Sequence, residues 1–299
     1  PDKRPASGEL ASAYDPGAGT MRPVMTDAPR TAPTRVVLTR HELGVVEVRL
    51  ARPDKHNGLD AEMFEALVAA GSSLIDDRSV RVVVLHGEGP SFCAGLDFRA
   101  FMAGGPALRE KLLARPADGS SPANLAQRVA WIWTELPMPV IAAVHGTCIG
   151  GGLQIALAAD IRIVHPDARL SVKEIEYGLI PDMSITRTLG RLVRLDVAKE
   201  LTFTGRDFDG REALALGLAT RLADDPLAAA RELAAQIAAR SPEAIRAGKA
   251  LWQRAPELDD AAALALETAL QVPLLGTRNQ LEAVQAKFMT RAPVFVDPQ

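Results

Sequence analysis

Val140-Ile-Ala-Ala-Val-His-Gly-Thr-Cys-Ile-Gly-Gly-Gly-Leu153 passes from an unbroken apolar pentad, through a His-Gly step, to three successive glycines, and leads into the apolar run Ile155 to Ala159. A pentad with no polar alternation predicts a strand buried on both faces, as parallel sheets require. The apolar run after the glycines predicts a helix, so the stretch reads as a strand-to-helix turn. Glycines there let the backbone approach a ligand closely and leave N–H groups unpaired at a helix start. Taken alone, the triplet serves equally well as a tight packing turn.

The same signals recur on both sides. Val80-Arg-Val-Val-Val-Leu85 and Ile161-Arg-Ile-Val164 are further buried-strand patterns, while Val46-Glu-Val-Arg-Leu50 alternates apolar and charged residues as a half-buried strand does. The turn Arg52 to Gly58 ends that strand. Asp60 then caps a helix predicted over 61–75, with Met63, Leu67 and Leu74 at helical spacing and Phe64 and Val68 beside them. Strands alternating with helices define an α/β chain with crossover connections. Gly104 to Pro122 reads as a loop. Beyond Leu227 the chain is Ala-rich and helical through Leu270, Pro242 after Ser241 opening a new helix. Residues 1–34 read as a disordered tail without a secretory signal, 35–226 as the core and 227–299 as a C-terminal helical region.

Composition removes several classes of function. With 299 residues a large core is possible, and a net charge of -3 leaves no basic excess for nucleic acid. Apolar runs such as Val140 to Val144 fall far short of the ~20 residues a membrane helix needs. Cys93 and Cys148 have no paired metal-ligand spacing, which gives no metal site and a reduced, cytoplasmic setting.

Two features carry chemistry. Ser91-Phe-Cys-Ala-Gly-Leu-Asp97 follows the Val82 strand much as the glycine triplet follows Val144. One N–H from each strand end would make an oxyanion hole for a thioester carbonyl. In Leu170-Ser-Val-Lys-Glu-Ile-Glu-Tyr-Gly-Leu-Ile-Pro-Asp-Met-Ser-Ile185, Glu174 and Asp182 stand eight residues apart in a largely apolar setting. That spacing suits two proton-transfer groups in one pocket. Glu176 reads as a solvated charge, Cys93 and Cys148 as small buried hydrophobes, His86 and His145 as structural, and Trp131 and Trp133 as packing residues.

These segments, with Arg52-Pro-Asp-Lys-His-Asn-Gly-Leu59, Pro139 to Gly146, Gly150 to Arg162, Leu201-Thr-Phe-Thr-Gly205, Arg211-Glu-Ala213, Gly217-Leu218 and Arg291-Ala-Pro-Val-Phe295, resemble the crotonase superfamily of enoyl-CoA hydratases and isomerases. The resemblance runs from about residue 35 to residue 296. It implies a spiral of ββα units, a C-terminal helical region used for trimerisation, and a homotrimer or dimer of trimers. It also implies an acyl-CoA thioester as ligand and no separate cofactor, coenzyme A being part of the substrate. Carried over position by position, the oxyanion N–H groups belong to Leu96 and Gly151, and CoA contacts to Arg52, Lys55 and Ala94.

Two departures shape the expected reaction. The family's hydratases pair two glutamates around water, and here the first position is Gln154 while the second is Glu174. A glutamine amide accepts no proton at neutral pH, so hydration loses a group. Lys173-Glu174 with Asp182 looks instead like the Glu/Asp pair of dienoyl-CoA isomerases, although their usual third acid falls at Gln154. The expectation is double-bond isomerisation by Glu174 and Asp182, with Gln154 bonding substrate or water or simply filling the helix start. Hydration of a 2-enoyl-CoA by Glu174 and a non-catalytic acyl-CoA-binding trimer are the rivals.

Overall fold

The chain is described by a computed structural model at residues 34–117 and 119–298; the tail expected over 1–34 lies outside the described residues apart from Thr34. Regular structure begins with β1 (Val36–Arg40) and β2 (Val45–Leu50), then α1 (Ala61–Ile75), β3 (Val82–Gly87), α2 (Phe98–Leu113) and α3 (Leu125–Glu135). There follow β4 (Val140–Val144), β5 (Thr147–Ile149), α4 (Gly151–Leu157), β6 (Ile161–Val164), β7 (Arg169–Ser171), α5 (Ile185–Leu192), α6 (Leu195–Thr204) and α7 (Gly210–Ala215). The chain closes with β8 (Arg221–Leu222), α8 (Pro226–Ala238), α9 (Pro242–Arg254), α10 (Asp260–Gln271) and α11 (Arg278–Phe288).

A six-stranded sheet in the order β1-β2-β3-β4-β6-β8 forms the centre. Only the β1–β2 pair is antiparallel; the remaining neighbours run parallel. The valines of β3 explain why the strand carries no alternation. Val83 and Leu85 enter the larger core with α1 and α3, and Val82 and Val84 enter a second core under α8. On α8 the stripe Ala230, Ala234, Ala238 packs on that second face, small side chains letting the helix lie close. The helical region begun at Leu227 therefore opens with a helix that covers the sheet. α9 is tied in as well: its buried Lys249 reaches Asp160 at 2.8 Å and the Met138 carbonyl at 2.9 Å.

After each central strand the chain adds one piece to a smaller second layer. β5 pairs with β7, Cys93 bridges to Cys148, Leu59 bridges to Leu96, and Leu170 bridges to Phe208. A strand for the sheet, a strand for the second layer and then a helix is the ββα repeat expected of a spiral. The second layer is what brings the two glycine-containing turns side by side.

Two sequence expectations change. Gly104 to Pro122 is not all loop, because α2 runs through its first half. Asp97 caps the helix by accepting from the Ala100 N–H at 3.1 Å. Gly105, at φ 59° and ψ -153°, breaks it, and Pro106 restarts it as a first-turn residue. The break that reads as a loop in sequence is a redirection of one helix. The strand read as half-buried over Val46 to Leu50 is buried along most of its length, and its Glu47 goes inside by pairing with Arg231 of α8 at 2.6 Å.

Candidate active site

Leu59 fixes the direction of the Leu96 N–H, the first of the two donors expected at an oxyanion hole. Its N–H donates to the Gly95 carbonyl at 2.8 Å and its carbonyl accepts from the Asp97 N–H at 3.0 Å. Leu96, lying between those partners, must turn its own N–H to the opposite side. On that side runs β5, since the Ile149 N–H donates to the Cys93 carbonyl at 3.1 Å. The approach is so close that a Cβ on Gly95, at φ +80°, would sit 2.7 Å from the Ile149 carbonyl oxygen and 3.4 Å from the Gly151 nitrogen. Neither the Leu96 nor the Gly151 N–H has a backbone acceptor in the turns and loops among the described residues. Both residues line one cavity of about 320 Å³, together with Ala94 and Gly150.

The triplet is thus a tight packing turn that also lines the cavity. A Cβ on Gly152 would meet the Cys93 carbonyl oxygen at 2.2 Å, and one on Gly151 would meet Leu59 and Met183 at 2.8 Å.

Gln154, 1% exposed on α4, lies behind the Glu174 and Met183 that line the cavity. Its Oε1 accepts from the Met183 N–H at 2.8 Å and its Nε2 donates to Glu174 Oε1 at 2.7 Å. Because a backbone N–H only donates, the Met183 contact fixes which end of the amide faces Glu174. Gln154 is held by protein on both ends, and its amide is a clamp on the carboxylate. Glu174 Oε2 is buried and has no hydrogen-bond partner among the described residues. Burial is the largest influence on this carboxyl and raises its pKa above the usual carboxylate range; the nearby Asp182 charge adds to the rise. The Glu174 N–H and the Gln154 amide pull the other way.

Asp182 lines the same cavity. As a residue it is exposed, but its carboxyl meets the apolar lining, and this partial burial raises its pKa too. Glu174 and Asp182 are therefore brought together in one cavity, with Gln154 behind the first. Phe64, Phe101, Leu112 and Ala126 supply apolar wall, and Phe98 stacks on Tyr177 at 4.0 Å between ring centres.

The remaining residues sort clearly. Arg52 turns inward, pairing with Asp97 at 2.9 Å and Asp60 at 3.4 Å and donating to the Gly58 carbonyl, while Lys55 is exposed on the same turn. Glu176 points away and pairs with Lys173 at 2.6 Å, as a helical turn over 174–177 dictates. Burial pushes the Cys93 thiol up to about 12 and Cys148 well above its ordinary value, so both behave as buried hydrophobes. His145 bonds the Gly89 carbonyl at 2.8 Å and His86 is buried 3.5 Å from Glu47. Trp133 is fully buried. Sequence reasoning missed Asn57, whose buried amide accepts from the Arg52 N–H and donates to the carbonyls of Glu88, Ser91 and Phe92. It also missed Arg109 and Tyr177, which line the cavity. Only helical phasing from Pro106 could have signalled Arg109.

The sheet with its parallel second layer is the crotonase-type α/β spiral. Residues 40–298 match the enoyl-CoA hydratase/isomerase family, and the chain belongs to it. It is 34% identical over 261 residues to the protein named "Probable enoyl-CoA hydratase 2, mitochondrial" of Arabidopsis thaliana, covering 86% of this chain and 83% of the relative. With "Enoyl-CoA hydratase domain-containing protein 2, mitochondrial" of Bos taurus the identity is 34% over 263 residues, covering 85% and 84%. Among solved structures, the enoyl-CoA hydratase of Mycobacterium smegmatis superposes with a TM-score of 0.77 at 32% identity, covering 87% of this chain and 98% of that one. The protein is an acyl-CoA-processing enzyme of this family.

Proposed function

We propose that the enzyme shifts a carbon–carbon double bond of an enoyl- or dienoyl-CoA by moving a proton through an enolate. The thioester oxygen accepts from the Leu96 and Gly151 N–H groups, which stabilise the negative charge as it develops. Glu174 Oε2 takes a proton from the acyl chain and the electron pair delocalises toward the carbonyl. The proton returns at a carbon further along, with Asp182 completing the transfer. Coenzyme A enters as part of the substrate, so the reaction needs no resident cofactor. Lys55 and the Ala94 segment meet the CoA moiety, with Arg52 shaping the turn that presents them.

The observation that carries this reading is the clamp. Gln154 spends its amide on Glu174 and Met183, so the position expected to supply a second carboxylate for hydration is an amide with both ends engaged, and Glu174 Oε2 is the oxygen of that pair without a partner among the described residues. Glu174→Gln is expected to lower turnover of 3-enoyl- and dienoyl-CoA by about 10²–10⁴-fold, the usual worth of a general base. Asp182→Asn is expected to fall between that variant and the parent. Full activity in Glu174→Gln, followed by the ultraviolet spectrum of the conjugated thioester, would overturn the assignment.

Hydration of 2-enoyl-CoA is the second reading, favoured by the names of the relatives. Rapid loss of crotonyl-CoA absorbance would put it first. For assembly, the apolar side chains that α9, α11 and the segment after α11 leave in solvent support self-association: Trp252 is 77%, Phe288 86% and Val294 75% exposed.

A further inference from the structure

The cavity lining includes an exposed cation, Arg109, that the proton chemistry does not use. The helical half of α2 restarted by Pro106 is held in rotation on two sides: Lys111 pairs with Glu65 on α1, and Leu112 enters the core at 6% exposed. This rotation sets Arg109 and Leu113, one helical turn apart, on the cavity wall beside Leu112. The other cation of the lining, Lys173, is already engaged by Glu176 at 2.6 Å and Asp207 at 3.1 Å. Arg109 has no ion pair or hydrogen bond among the described residues. It stands on the α2 wall, whereas Glu174 and Asp182 stand on the wall made by the 174–183 segment.

Arg109 is exposed at the rim of this lining, and an alkyl chain lying along Phe101, Leu112 and Leu113 displaces part of the water that supplies its acceptors. A carboxylate at the end of that chain supplies them, because its two oxygens match the forked N–H groups of arginine. We propose that Arg109 is a specificity residue selecting acyl-CoA thioesters whose acyl chain ends in a carboxylate. The inference rests on the acyl-CoA reading of the cavity, and it deepens that reading by naming the class of acyl group.

Binding of glutaryl-CoA, butyryl-CoA and free CoA, measured by titration calorimetry on the parent, Arg109→Met and Arg109→Lys, tests it. All three ligands lack a double bond, so the result does not depend on which bond the enzyme moves. The parent should bind glutaryl-CoA about two- to fivefold more tightly than butyryl-CoA, the worth of an ion pair at an exposed guanidinium. In Arg109→Met the ratio should collapse toward one, and Arg109→Lys should keep part of it. Equal affinities in the parent overturn the proposal. So does an Arg109→Met variant that loses free CoA as strongly as glutaryl-CoA, which would make the guanidinium a phosphate contact. Failure of all three ligands to bind would overturn the acyl-CoA reading together with it, whereas a missing preference leaves the Glu174 chemistry standing.

Discussion

At Glu174 two opposed influences meet on one carboxyl. Burial and the Asp182 charge favour its protonated form, and the Gln154 N–H favours the anion. A base must be ionised to act, so activity should fall as pH drops through the raised pKa, placing the acidic limb above the usual carboxylate range. Gln154→Leu removes an N–H that favours the anion and should move that limb further up; a pH profile of kcat/KM reads the shift. Gln154→Glu does something different. It keeps an acceptor for the Met183 N–H but sets a second carboxyl against Glu174 Oε1, where the pair must share a proton. Crotonyl-CoA hydration by that variant should rise about tenfold or more while isomerisation falls. The presence of both acids and the Gln154 substitution were legible in the sequence. The role of Gln154 was not, because the Met183 N–H that fixes its amide comes from 29 residues away and no local pattern records it.

Among the elements, those whose cause is local were legible and those whose cause is tertiary were not. The helix predicted over 61–75 is α1 with its Asp60 cap, since both cap and apolar face lie within the segment itself. In α2 the sequence contains a genuine break at Gly105, and only packing against α1 and the core restores the helix beyond it. The glycine triplet shows the same contrast. Gly152→Ala forces a Cβ to within 2.2 Å of the Cys93 carbonyl oxygen and should cost about 3 kcal/mol, the upper end for overpacking. Gly190→Ala on α5 meets nothing within 4 Å and should instead stabilise by about 0.5–1 kcal/mol. Urea denaturation of the two variants separates a glycine required by contact from one that is merely tolerated.

For the molecule as a whole, the question is what covers the C-terminal apolar surface. Phe288, Met289 and Val294 are largely exposed, while Ala286 and Asn279 of the same region are buried. α11 therefore uses one face within the chain and leaves another outside. If that face joins copies of the chain, light scattering should give a mass near three or six times 31.9 kDa. Phe288→Asp should shift the protein toward a single chain. A monomeric parent would remove the trimer from the proposal without touching the site.

The donors assigned to the substrate carbonyl belong to the main chain, and their separation is set by the bridge between Cys93 and Cys148. Interstrand spacing thus serves as a ruler that side-chain replacement hardly alters. The groups proposed to handle protons, Glu174 and Asp182, are side chains of the 174–183 segment and are freer to vary. Mutational drift can therefore rewrite which proton moves, or which acyl tail is admitted, while the grip on the carbonyl is inherited intact. This division of labour lets one scaffold carry different reactions, and Gln154 is the position at which the proposed chemistry parts from hydration.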